Sequence, residues 1–97
     1  MPIPDQLRSH IDSSGVISKL PAKYSKKTQL AMGLLQELEL NRQYSEGELK
    51  EIFSKYVVDH AFIRRALVDA GVLVRDKYGK QYQRLETEPD FDPASNL

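Results

Sequence analysis

The sequence predicts an α+β fold, and three observations carry the prediction. Two helical patterns, from Ser45 to Tyr56 and from Asp59 to Ala70, each open with a start signal and are separated only by Val57-Val58. Gly71 stands where the second pattern must stop. A β-rich run, a glycine-containing turn and a second β-rich run follow directly, from Val72 to Leu85. In that order these are the parts of a winged helix-turn-helix, a three-helix core with a C-terminal β-hairpin wing.

Residues 1–14 form an N-terminal extension, with Leu7 and Ile11 spaced for a short helix over residues 4–12. Residues 15–85 are the winged-helix domain. Val16 to Leu20 mixes apolar and polar residues in a weak strand pattern, an extra N-terminal strand ended by Pro21. The first core helix is expected to start at Ser25, a good N-cap residue, and to end near Glu39 or Leu40. Its apolar stripe is Leu30, Leu34 and Leu38. Ser45 and Glu48 match a capping box, with Tyr44 and Leu49 at the flanking staple positions. Asp59 is the next N-cap, with Val58 and Ile63 as its staple. Gly71 suits the left-handed residue that closes a Schellman motif, with Val72 and Leu67 in its hydrophobic contact. Residues 86–97, rich in acid and proline, are expected to be a disordered acidic tail.

The chain has 97 residues, enough for one domain, and its formal net charge is zero. That zero conceals an asymmetry. Residues 15–85 carry thirteen Lys or Arg against eight Asp or Glu, while the tail adds Glu86, Glu88, Asp90 and Asp92. A basic body suits phosphate partners; the tail either solubilises or competes for the basic face. With no cysteine, disulfides, thiolate metal sites and cysteine nucleophiles are excluded. No apolar run approaches the roughly 20 residues of a membrane span, and the N-terminus lacks a signal-peptide pattern, so a cytoplasmic protein without membrane contact is expected.

At about 100° per residue, the second helix of the pair sets Ala61, Arg64, Arg65 and Val68 opposite its apolar stripe, with His60 at the margin. Arginine offers a planar fork of donors to guanine edges and phosphates, and small neighbours allow close approach. The hairpin adds Arg75, Lys77, Lys80 and Arg84, placed to follow a phosphate backbone. These nine residues are the candidate nucleic-acid-binding surface. The competing reading is a solvated face in which Arg65 pairs with Asp69. Lys19, Lys23, Lys26 and Lys27 form a third basic group. No catalytic residue, metal site or cofactor is expected: the only histidines are His10 and His60, Ser45 and Asp59 are explained as caps, and no glycine-rich phosphate loop exists.

The run YSEGELKEIF, the Asp59 start, IRRALVDAGVLVRD and the closing YGKQYQR together resemble a bacterial family called domain of unknown function 2087. The upstream GVISKLPAKYSKK is similar to that family's opening. The likeness covers residues 15–85 and is most specific at Arg64, Arg65, Leu67, Gly71, Leu73 and Arg75; Gln83 stands where the family's hairpin often has an aromatic residue. The resemblance implies a winged-helix domain linked to bacterial transcriptional regulators, with nucleic-acid binding, and assigns no catalytic residue. The sequence reading is therefore a double-stranded DNA-binding domain. The alternative is a protein-interaction or dimerisation module, its partner a regulator protein or a second copy. An effector-sensing domain would need an internal cavity. A positive face shared by the helix and the wing favours DNA; an apolar patch on the helix, or Arg64 and Arg65 both in internal ion pairs, favours a protein partner.

Overall fold

The computed structural model describes residues 3–91. Its elements are a 3₁₀ helix at Asp5–His10, α1 (Tyr24–Leu35), β1 (Gln43–Ser45), α2 (Glu46–Phe53), α3 (His60–Asp69), β2 (Leu73–Arg75) and β3 (Gln81–Arg84). The three strands form one antiparallel sheet in the order β1-β3-β2. This is an α+β, winged-helix-like arrangement: three α-helices gather round one core and a β-hairpin follows the last of them.

The local signals at α2 and α3 produce the local structures they encode. Ser45 Oγ accepts from the Glu48 amide at 3.1 Å, and Glu48 returns the bond to the Ser45 amide at 2.9 Å. Asp59 Oδ1 accepts from the Phe62 amide at 3.1 Å. Gly71 adopts φ 79°, the Val72 amide donates to Leu67 O and the Gly71 amide to Val68 O, which is the Schellman pattern. Val58, expected to staple the start of α3, is 59% exposed instead, while its backbone amide is turned to Ile17.

Helix α1 departs from expectation at both ends. It begins at Tyr24, because extended Lys23 lends its carbonyl to the Lys26 and Lys27 amides; Ser25 lies inside the first turn and caps nothing. Regular helix ends at Leu35, after which tighter i→i−3 bonds carry the chain through Leu38. The predicted stripe survives, since Leu30, Leu34 and Leu38 are all buried. Asn41, at φ 64°, then turns the chain into β1, a strand absent from the expectation. Tyr44 is its buried residue, 1% exposed, and its hydroxyl accepts from the Glu39 amide at 2.8 Å. The extra strand of the sheet is therefore β1 rather than Val16 to Leu20. Only Ile17 of that segment pairs, bridging Ile11 on one side and Val57 on the other. The α2–α3 turn offers only the Tyr56 carbonyl and the Val58 amide before α3 begins, too little for a ladder.

Both flanking segments belong to the core. Ile3 and Leu7 are buried at 2% and 0% exposure. After β3, Thr87 Oγ1 donates to Gly71 O at 2.8 Å, the Asp90 amide donates to Ala70 O at 2.9 Å, and half-buried Phe91 packs on the core. The first part of the expected disordered tail thus satisfies carbonyls at the end of α3; the remainder, with Asp92, lies outside the described residues. Leu7→Ala should cost about 2–5 kcal/mol, the usual range for emptying a buried leucine site, in urea unfolding. Ending the chain at Leu85 should also lower the urea midpoint, because Phe91 and two backbone-directed bonds go with the tail.

Acid should loosen the fold by a definite route. The Ser45 amide beside Glu48 holds its carboxyl below the ordinary glutamate value, and the Lys80 amide does the same for Asp76 at the hairpin turn. A group lowered in the folded state contributes stability above its unfolded pKa and loses it as pH falls through the folded one. The urea midpoint should therefore hold from neutral pH to about 4.5 and fall below about 4, less steeply in Glu48→Gln.

Candidate nucleic-acid interface

The face under α3 and the hairpin is organised by strand parity. Arg75 pairs directly with Tyr82 across the β2–β3 ladder, so both side chains leave the same side of the sheet. That side faces α3, and Tyr82 is 3% exposed there. Between α3 and the sheet lies a cleft of about 230 Å³ lined by Arg64, Arg65, Val68, Asp69, Arg75 and Tyr82. One helix and one strand thus bring three arginines to a single cleft.

The three arginines are not equivalent. Arg64 is drawn inward: its Nη1 lies 2.7 Å from Glu46 Oε1, its guanidinium stands 6.0 Å from the centre of the Tyr82 ring, and its side chain is only 19% exposed. The pair fastens the start of α2 to the middle of α3. Arg65 is exposed and has no ion pair among the described residues, the i+4 carboxylate of Asp69 included. Arg75 is exposed and lies along Gly79, where an added Cβ would stand 3.6 Å from its Cδ. Gly79 itself has φ 69°, which glycine adopts without strain.

The remaining candidates divide cleanly. Ala61, Val68 and His60 are partly exposed on α3. Lys77 and Lys80 are exposed at the hairpin turn, where Lys77 Nζ lies 5.1 Å from the Tyr78 ring centre. Arg84 does not join them. Its Nη1 donates to Leu38 O at 2.8 Å and its Nη2 reaches Gln36 Oε1 at 3.4 Å, so it ties β3 to the end of α1. Its expected place on the wing surface is therefore corrected. Parity could have shown this, because Arg84 shares the inward side of β3 with Tyr82. In the lysine group, Lys27 Nζ lies 5.9 Å from the Phe62 ring centre, which brings the start of α1 beside the start of α3.

No helix is long and apolar enough to cross a membrane, and the described residues hold no cluster of His, Cys, Asp or Glu able to take a metal ion. A family model described as "Uncharacterized protein conserved in bacteria (DUF2087)" matches residues 16–84. No curated protein and no solved structure matches.

Arg65 and Arg84 predict opposite behaviour in thermal unfolding. Arg84→Ala strips the Leu38 carbonyl of its partner and should cost about 1–3 kcal/mol. Arg65→Ala should leave stability within about 0.5 kcal/mol, as exposed substitutions do.

Proposed function

The chain belongs to the bacterial DUF2087 family, and we propose that this domain binds duplex DNA as part of transcription regulation in the cytoplasm, with α3 in the major groove and the hairpin on the flanking backbone. The observation that carries the reading is the shared cleft: Arg65 from α3 and Arg75 from β2 open to solvent on one face. Lys27 extends the basic surface at the opposite end of α3. None of the exposed large apolar side chains, Leu40, Val58, Val74 and Tyr78, lies on α3, so the face has the character of a polyanion site rather than an apolar seam. The helix is ten residues long, about 15 Å, and the partly exposed Ala61 and Val68 let it approach a groove about 12 Å wide. Arg65 reads base edges or the adjoining phosphate, Arg75, Lys77 and Lys80 meet the backbone, and Arg64 positions α3 through Glu46.

A protein partner is the second reading. Gln43, Gln83 and Val74 form one row across the outer side of the sheet, without charge, and depletion of charge marks the centre of protein interfaces. The two surfaces are opposite sides of one sheet and are not exclusive.

Anisotropy of a labelled duplex separates these readings. The unaltered protein should bind at low salt, and the pair Arg65→Ala and Arg75→Ala should weaken binding and reduce the log–log salt slope by about one for each phosphate no longer neutralised. Absence of binding by the unaltered protein at low salt overturns the DNA reading. Binding that the double variant leaves unchanged removes α3 and β2 as the DNA-facing surface.

A further inference from the structure

We infer that the cleft between α3 and β2 is a seat for a single phosphate group, gripped by Arg65 and Arg75 above a floor formed by Arg64 and Tyr82. The inference deepens the DNA reading and rests on it for one of two sources of that group. The source is either a phosphodiester of a nucleic-acid backbone or a free phosphate or phosphomonoester.

Size is the first argument. The cleft's 230 Å³ falls short of the roughly 300–1,000 Å³ of pockets that enclose drug-sized ligands. It is several times the ~30 Å³ share of one water molecule. One phosphate with its bridging waters fits within it.

Chemistry is the second. Three arginines line the cleft against one acidic residue, Asp69. Each guanidinium presents a fork of donors that matches two oxygens of a tetrahedral anion. Asp69 stands one helical turn beyond Arg65, well placed to neutralise it, yet the two form no ion pair among the described residues. Glu46, the carboxylate that does engage an arginine here, takes Arg64 by a single nitrogen at 2.7 Å. The deep arginine is thereby neutralised in part and fixed, while the two outer forks keep their donors.

Preorganisation is the third. Arg64 is held by Glu46 beside the Tyr82 ring, and Arg75 lies along the hairpin turn at Gly79. Val68 closes the wall with a short apolar side chain. Side chains already held near their bound positions lose little freedom on binding, which favours a small ligand with few atoms to contribute.

The test follows the arginine Nε–H resonances of the full chain by NMR, with inorganic phosphate as probe at constant ionic strength. Phosphate should shift Arg65 and Arg75 in a saturable manner. Arg65→Gln or Arg75→Gln should raise its apparent Kd by about tenfold or more. Lys50→Gln, on the exposed side of α2, should leave it unchanged. A duplex titration then separates the sources. Phosphate and duplex competing for the same two resonances support a seat for a backbone phosphodiester. Saturable phosphate binding with no duplex binding supports a free phosphate or phosphomonoester, and in that case the DNA reading fails while the cleft assignment stands. Shifts that fail to saturate, that sodium chloride reproduces, or that persist in Arg65→Gln overturn the inference. Duplex binding that leaves Arg65 and Arg75 unmoved overturns the backbone phosphodiester as the source and leaves the seat to a free phosphate or phosphomonoester.

Discussion

Two backbone hydrogen bonds at Ile17 set the geometry on which everything outward depends. Its amide donates to Tyr56 O at 2.8 Å and its carbonyl accepts from the Val58 amide at 3.0 Å. These bonds grip the short turn between α2 and α3 from a segment far upstream. With Ile17 fully buried, a shift of that turn would break both bonds and open the core beneath it. The direction of α3, and hence the side of the molecule to which Arg65 is presented, follows from a residue with no part in the surface itself. Leu7 and Ile3 are buried in the same core, so the N-terminal segment packs tightly although it lies outside the residues matched to the family.

Charge is distributed by the same logic. Arg64, Arg65, Arg75 and Arg84 look alike in a tally of basic residues, yet they perform three jobs. Arg84 binds the Leu38 main-chain carbonyl, in the tight turns just after α1. Arg64 joins two helices through Glu46. Of the four, only Arg65 and Arg75 face solvent without an ion pair among the described residues. The basic excess counted along residues 15–85 therefore overstates what a partner can meet, because part of it is already engaged internally.

Legibility in the sequence tracks the range of each interaction. The capping box at Ser45 and Glu48, the Asp59 cap and the Gly71 terminus are readable because every partner lies within a few residues. The cleft residues Arg64, Arg65 and Arg75 stand out by helical phase and hairpin position. Strand β1 is not readable: three residues with one buried aromatic look like a helix approach until Tyr82 is set opposite Tyr44. Likewise the engagement of Arg64 by Glu46 joins residues distant in the chain, and no local pattern announces it. Ser25 misleads for the opposite reason. A good capping side chain is present, but the Lys23 carbonyl closes the first turn earlier.

The sheet order has a consequence for the chain as it is synthesised. Strand β3 is the middle strand, hydrogen-bonded to β1 on one side and β2 on the other, yet it is the last of the three to be made. Until residues 81–84 leave the ribosome, β1 and β2 have no neighbour to pair with, and the inner side of the sheet lacks Tyr82. The helices can assemble first from local contacts, whereas the sheet must wait for a long-range closure. A nascent chain halted before Gln81 would thus display a helical core with an uncovered flank, the form of this protein most open to a chaperone.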